Sequence, residues 1–495
     1  MTIVQNVPFF SIMLCMICGI ASAMLGGRAA RRLSLVLSGC VSLLSIWLLL
    51  WFEQGNEAYN YMMGHFPAPW GNELRAGPLE AIMASALSLV TLFSLLGGYK
   101  KLSGQVHHQK ENLTYVMMDL VLAACMSMLY TNDLFTGYVF LEIMTLASCA
   151  LMISRQKGHT LVSGMRYMIM SLLGSGLTLI AIAMVYGITG QLLMQSIHEV
   201  LESLAQTGEY ELPLTVIITL FMVGLGIKSG MYPFHTWLPD AYGYATPAAG
   251  AMLSSVVSKA YLFLLIKILY RVVGMDILSC QRAFPLLFIF GIAGMIIGSV
   301  NAISCRDLRH MIACSSVAQV GYIYAALGLG TQAGFAAALF HMIVHAFAKS
   351  GLFISASALS DASDGKWYFA DLRGSGFRTV IPGLCFSAAC MSLIGIPMFG
   401  GFITKLNMAQ AAFEKGGVMQ WVLLAALVVS TILNLMYLMR TVITLYRNQK
   451  PDQTKVKTGI GSGISAAVLG AMSLAVGLLA EPLMRMIQMG LEMFQ

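Results

Sequence analysis

Apolar stretches of bilayer-spanning length follow one another along almost the whole chain, separated by short polar gaps. A membrane span needs roughly 20 apolar residues. The pattern predicts helices near 8–24, 34–52, 79–98, 113–130, 133–153 and 166–190. It predicts others near 213–232, 246–270, 283–303, 308–329, 332–358, 380–412, 418–446 and 460–487. The fold class that follows is an all-α polytopic membrane protein of about 14 transmembrane helices. The first apolar stretch lacks a basic leader and an A-x-A-like site, so it is expected to be a retained helix.

The seventh and twelfth apolar segments are interrupted by glycine and proline. One break reads Gly230-Met-Tyr-Pro233, with Pro239 and Pro247 following; the other reads Gly395-Ile-Pro397-Met-Phe-Gly400-Gly401. Paired broken segments in two halves of a chain point to an inverted repeat with the ion or substrate site at the breaks. An odd number of helices per unit forces opposite orientations. The expected division is therefore 1–110 for helices one to three, 111–272 for a first repeat of helices four to eight, 280–447 for a second repeat of helices nine to thirteen, and 458–495 for helix fourteen.

Charge in the gaps alternates. Arg28, Arg31 and Arg32 occupy the first, Lys100, Lys101 and Lys110 the third, and Arg155 and Lys157 the fifth. Arg306 and Arg309 fall in the ninth, Lys366, Arg373 and Arg378 in the eleventh, and Arg447, Lys450, Lys455 and Lys457 in the thirteenth. The second gap holds Glu53, Glu57 and Glu73, and the sixth Glu199, Glu202, Glu209 and Glu211. Arg271 and Arg282 in the eighth fit the alternation poorly. By the positive-inside rule both termini are expected on the outer side of a cell inner (plasma) membrane.

Composition excludes a water-soluble catalytic domain: 58% of the 495 residues are hydrophobic and 10% charged, against about 25% charged in soluble domains. The net charge of +7 is spread over the gaps, leaving no polybasic patch for nucleic acid. Ten cysteines are scattered, mostly through apolar runs. Cys15 and Cys18 form a lone C-x-x-C inside the first helix, where packing explains them better than a metal site lacking matching partners. Iron–sulfur, haem and nucleotide motifs are missing.

Against this background the ionisable residues inside apolar helices stand out, since each costs about 2.5–3.5 kcal/mol on insertion scales. They are Glu142 on the fifth helix, Lys228 at the break of the seventh, Lys259 in the eighth, His341, His345 and Lys349 on the eleventh, and Lys405 after the break in the twelfth. The i, i+4, i+8 spacing of His341, His345 and Lys349 makes one slowly rotating stripe, about 12 Å long. Histidine passes protons near neutral pH. A desolvated lysine gives up its proton more readily and a nearby carboxylate holds it there, so movement between Glu142 and Lys228 is a usable switch. Structural ion pairing and snorkelling near helix ends compete with function for each residue alone. Asp119 on the fourth helix fits either role, and Lys267 is expected at the interface. Zinc on His341 and His345 would need a third ligand or an H-E-x-x-H motif, and neither is present.

The segment Lys228-Ser-Gly-Met-Tyr-Pro-Phe-His-Thr-Trp-Leu-Pro-Asp240 resembles the broken seventh helix of the antiporter-like subunits of the complex I superfamily. Asn132-Asp-Leu-Phe with Glu142, Asp307-Leu-Arg-His-Met-Ile-Ala-Cys-Ser-Ser316 with Gly321-Tyr322, His341-x3-His345-x3-Lys349, and the stretch from Gly395 to Lys405 resemble the same family, in its order, over roughly 110–410. The superfamily comprises proton-translocating subunits of complex I, Mrp-type cation/proton antiporter subunits and membrane subunits of energy-converting hydrogenases.

The resemblance implies a fourteen-helix subunit that translocates protons, or exchanges them for sodium, within a larger complex. By the family pattern Glu142 and Lys228 resemble the switch pair, Lys259 the connecting lysine, and His341, His345 and Lys349 the central relay. Lys405 resembles the last lysine before the exit or the neighbouring subunit, and His235 the coupling histidine after the break. Implied partners are other membrane subunits, including further antiporter-like ones, peripheral redox subunits and lipids. The chain itself is expected to hold no cofactor, with iron–sulfur or nickel–iron centres only in partner subunits.

Three positions depart from the family pattern. Tyr242 stands where many relatives have His, Thr246-Pro-Ala-Ala-Gly250 replaces a Pro-x-Pro-Val-Ser pattern, and Cys314 stands where Tyr is common. The chain is also expected to lack the long lateral helix of the largest subunit type. The functions in competition are a redox-driven pump such as an energy-converting hydrogenase or NADH dehydrogenase-like complex, an Mrp-type Na+/H+ antiporter without redox input, a stand-alone solute transporter, and an inert scaffold.

Overall fold

A computed structural model of the chain describes residues 3–66, 71–207, 210–275, 277–447, 456 and 459–494. Glu209, Lys450, Lys455 and Lys457 lie outside the described residues.

The chain opens with α1 (Val7–Met24) and α2 (Gly27–Glu53), then a hairpin of β1 (Tyr59–Met62) and β2 (Glu73–Ala76). The strands are antiparallel, with Tyr59 opposite Ala76 and Met62 opposite Glu73. The helices α3 (Pro78–Gln105), α4 (Glu111–Tyr130), α5 (Leu134–Ile153) and α6 (Gly158–Thr189) follow. A shorter α7 (Met194–Thr207) leads to α8 (Glu211–Ser229). The seventh span breaks there and resumes in α9 (Leu238–Tyr244).

The eighth span joins α10 (Pro247–Met252) to α11 (Ser258–Lys267), with π-helical turns at Leu253–Val257 and Ile268–Val273. Then come α12 (Leu278–Ser304), α13 (Leu308–Leu327), α14 (Gln332–Asp361) and the single turn α15 (Ser375–Arg378). The twelfth span divides into α16 (Val380–Ile394) and α17 (Gly400–Lys415), followed by α18 (Gly417–Leu445), α19 (Ile460–Leu478) and α20 (Ala480–Glu492).

Local chemistry sets these boundaries. Asp133 Oδ1 accepts the Thr136 amide at 2.6 Å to start α5, and Asp307 Oδ1 accepts that of Arg309 at 2.7 Å to start α13; Thr331 caps α14 in the same way. Such caps satisfy amides that have no intrahelical partner. Both breaks fall on glycines in the left-handed region, Gly230 at φ 82° and Gly395 at φ 87°, where a side chain would be strained.

Among the described residues, twelve helices are long and apolar enough to cross a membrane. With Leu308–Leu327 and the broken twelfth span they make up the predicted set. Three differences from the sequence reading stand out. The sixth gap contains α7, whose apolar positions Met194, Ile197 and Leu201 are buried while Gln195, Glu199 and Glu202 are exposed. The second gap is partly a hairpin, and its Glu73 is buried rather than solvated. The fourteenth helix turns at Leu479 into α20, because Leu479 leaves the helical region (ψ 22°).

Burial identifies the centre of the bundle. All of the most apolar window is buried in the spans 247–273 and 332–361, against 39% in the outer helices α1, α2, α6, α18 and α19. The two central spans carry Lys259 and the His341–His345–Lys349 stripe.

Candidate ion-translocation site

The site is a row of buried cations held by oxygens that helix breaks and π-turns set free. Lys228, in the last turn of α8, is enclosed; its Nζ donates to Thr145 Oγ1 at 2.7 Å and lies 3.4 Å from Glu142 Oε1. Ser175 of α6 donates to the same carboxylate oxygen. Thr145 Oγ1 lies 3.2 Å from the Tyr261 hydroxyl, so the pair touches the eighth span two residues beyond Lys259.

Lys259 is fully buried and donates to the Ser254 carbonyl at 2.6 Å and to Ser258 Oγ at 3.2 Å. Ser254 lies in the first π-turn, where helical pairing shifts by one residue and carbonyls bond differently. Its hydroxyl is 3.1 Å from Ser316 Oγ, and Ser316 in turn donates to the Ile312 carbonyl at 3.2 Å. That same carbonyl accepts from Lys349 Nζ at 2.8 Å, while Ser315 takes a second Lys349 hydrogen bond. Lys259 and Lys349 thus hang on one chain of serine hydroxyls and a shared carbonyl.

Along α14 the rings of Lys349's neighbours His345 and His341 stand 6.0 Å apart and nearly parallel, at 15°. His341 Nδ1 is 3.3 Å from Thr404 Oγ1, one residue before Lys405. Among the described residues, His341 Nε2 and both ring nitrogens of His345 have no hydrogen-bond partner. Lys405 Nζ donates to Thr431 Oγ1 at 2.8 Å and to the carbonyl of Ile394, the last residue of α16. Its ammonium also stands 5.6 Å from the Tyr322 ring centre, within cation–π range. The break therefore supplies the acceptor that anchors Lys405.

Not every predicted residue joins the row. His235 follows the first break, with its ring 5.4 Å from that of Tyr232, and its Nδ1 has no partner among the described residues. Asp119 lies apart between α1, α2 and α4, accepting from Ser22 at 3.1 Å and Ser34 at 2.8 Å. Lys267 is not interfacial but fully buried, donating to the carbonyls of Leu129 and Thr131 at the end of α4. Arg271, read from sequence as a loop charge, is buried in the second π-turn, which removes half of the misfit in the charge alternation. Tyr242 is buried with its ring edge-on to Trp237 at 6.0 Å.

Sequence reasoning missed Arg75 and Glu80, which are buried beside Lys267. Their one visible signal is an acid two residues after a proline–leucine helix start in an otherwise apolar run. A polar cluster on the basic-loop face was also missed. Arg166 donates to Asp240 at 3.0 Å, and His310 lies between Asp240 (3.7 Å) and Asp307 (3.6 Å). Burial would push the Asp307 carboxyl up, but hydrogen bonds from His310 and Arg309 outweigh it and hold it at about 2. Among the described residues, no group of three or more His, Cys, Asp or Glu side chains is placed to hold a metal ion.

Residues 131–434, which contain every member of the row, match the family described as NADH:quinone oxidoreductase/Mrp antiporter, TM. The chain belongs to this family. NADH-quinone oxidoreductase subunit N of Desulforudis audaxviator is 33% identical over 427 residues, covering 86% of this chain and 81% of that protein. A Na(+)/H(+) antiporter protein of Alkalihalophilus pseudofirmus is 26% identical over 428 residues, covering 85% and 83%.

Two solved structures share the fold. A chain of the archaeal membrane-bound sulfane sulfur reductase superposes with a TM-score of 0.88 at 23% identity, covering 100% of this chain and 98% of that one. A chain of the Mrp complex from Dietzia superposes at 0.87 and 22% identity, covering 99% and 97%. The protein is therefore a multi-span, antiporter-like membrane subunit of the NADH:quinone oxidoreductase/Mrp family, in which relatives are parts of multisubunit membrane complexes.

Proposed function

We propose that the chain moves protons through the row from Glu142 and Lys228, by way of Lys259, Lys349, His345 and His341, to Lys405, inside a multisubunit redox-driven complex. The observation that carries this reading is the shared hydrogen-bonded chain from Lys259 through Ser254, Ser316 and the Ile312 carbonyl to Lys349. Buried cations placed only for structure would be paired with anions. Here hydroxyls and carbonyls surround most of them, which suits groups that gain and lose a proton in place.

In this reading Glu142 sets the protonation of Lys228, His235 couples neighbouring units, and Lys405 hands the proton on. The chain divides into an N-terminal part (1–110), two inverted five-helix units (111–272 and 280–447) and a C-terminal helical part (458–495). Left-handed glycines at both breaks support that symmetry. The subunit sits in the cell membrane with both termini outside, beside further antiporter-like subunits, and redox centres belong to its partners.

Sodium/proton exchange without redox input is the second reading, favoured by likeness to the Alkalihalophilus antiporter protein over 85% of the chain. The test is ion flux in vesicles holding the whole complex, comparing wild type with Lys228→Ala under each electron donor and under an imposed sodium gradient. Loss of donor-driven flux supports the redox-driven pump, and loss of gradient-driven flux alone supports exchange. Unchanged flux under both overturns the row as an ion path.

A further inference from the structure

A second group of buried charges stands apart from the row, where the hairpin meets the start of α3 and the end of α11. Glu80, in the first turn of α3, is fully buried. Arg75 Nη1 and Lys267 Nζ each lie 3.9 Å from its Oε1. Glu73 and Arg271 complete the group, 8% and 6% exposed. Among the described residues, both Glu80 oxygens and Nη1 of Arg75 and Arg271 have no hydrogen-bond partner. A group that served only to staple the hairpin down would satisfy these atoms with close bonds.

A cavity of about 380 Å³ lies against this group, lined by Asn60, Arg75 and Arg271 and, from α7, by Gln195, His198 and Glu199. Gln195 and Glu199 are exposed, so the cavity opens at the surface, while Arg75 and Arg271 form its buried floor. Glu80 lies behind that floor. From Glu80 the α3 helix runs inward, and at 100° per residue Thr91 and Ser94 fall on the Glu80 face with Ser88 at its flank. All three are buried. Ser94 Oγ is 2.8 Å from the hydroxyl of Ser350, the residue after Lys349. One helix thus joins the buried acid to the centre of the row.

We propose that this cavity and Glu80 form a proton port, through which the row exchanges protons with solvent on the hairpin face. Glu80 is the group that carries the proton: its carboxylate can be protonated and deprotonated in place, whereas the arginines beside it stay charged. Ser88, Thr91 and Ser94 lie along the route to Lys349. The inference rests on the proposed translocation through Lys228 and Lys349 and adds where protons cross to solvent.

The test uses the assembled complex in vesicles. Glu80→Gln is expected to lower ion flux by at least about tenfold, the equivalent of a 1.4 kcal/mol barrier, and Glu80→Asp to restore flux with a shifted pH profile. In a separate variant, Ala58→Cys puts a thiol on the cavity wall. A bulky membrane-impermeant thiol reagent, added after assembly, is expected to reduce flux there and not in the parent protein. If Lys228→Ala stops flux while Glu80→Gln and the blocked Ala58→Cys leave it and its pH profile unchanged, the port is overturned and the row stands. If Lys228→Ala has no effect, the row itself is overturned. If Glu80→Gln fails to assemble, the Ala58→Cys blockade alone decides: flux insensitive to the reagent on a labelled thiol overturns the port.

Discussion

Lys228 is sealed inside the chain, while its ion-pair partner Glu142, 3.4 Å away, keeps 27% of its side chain at the surface. A carboxylate facing lipid would cost several kcal/mol. This flank of α5 and α6 therefore suits contact with a neighbouring subunit, and the pair sits where movement of that neighbour would be felt. Glu142→Gln keeps the shape of the side chain and its bond from Ser175 but removes the charge. Donor-driven flux is expected to fall by about 100-fold, a typical contribution from one positioned proton-transfer group. Flux at the wild-type level in that variant would make the pair structural.

The link between Lys259 and Lys349 makes a sharper demand. Ser316→Ala removes the hydroxyl that joins Ser254 to the Ile312 carbonyl. An interhelical hydrogen bond in a membrane is worth only about 0.6 kcal/mol on average, so thermal stability of the detergent-solubilised complex is expected to change little. Flux is expected to drop several-fold all the same. A variant that lost stability and kept flux would show these serines to be packing groups.

Gly395 has φ 87°, and a Cβ built there would lie 3.0–3.2 Å from Lys405 Cδ, Nζ and Cε. Gly395→Ala is expected to cost about 1–2 kcal/mol in backbone strain and to displace the ammonium from the Ile394 carbonyl, lowering flux. Gly416 provides the control. Its φ is 69°, with no heavy atom within 4 Å of the same construction, so Gly416→Ala carries similar strain and is expected to leave flux intact. Equal flux in the two variants would separate Lys405 from the path.

The spans were readable in the sequence because a bilayer imposes one long apolar run per crossing, and the breaks because glycine and proline are costly inside such runs. The residues of the row were readable for the same reason: a lysine in an apolar run has few structural excuses. Tertiary burial was not readable. Lys267 and Arg271 sit near a helix end, where snorkelling to water is the usual outcome, and only the hairpin and α7 folding over them reveal that they are enclosed. Glu73, in a gap dense with acids, gave no sign that Asn132 would bind it. The amphipathic α7 escaped notice because half its positions are polar, which hydropathy alone scores as a loop. The π-turns around Lys259 have no local sequence signature at all, although they supply the carbonyl that holds it.

On the basic-loop face, Asp307 makes a prediction about pH. Its carboxylate caps α13 through the amides of Arg309 and His310 and also faces the Arg309 guanidinium and the His310 ring. Asp240 approaches the far side of that ring. Loss of the cap in Asp307→Ala is expected to cost about 1 kcal/mol. Burial opposes ionisation, yet the bonds from His310 and Arg309 hold the folded carboxyl at about 2, below the ordinary value of about 3.9. A depressed carboxyl stabilises the fold fully above its unfolded value and loses that contribution as pH falls toward the folded one. The stability gap between wild type and Asp307→Asn, read from thermal unfolding of the solubilised complex, is therefore expected to stay constant above about pH 5 and to close toward about pH 2. A gap that changed near neutral pH would assign the titration to His310, and make this cluster a sensor of the bulk phase on its own side of the membrane.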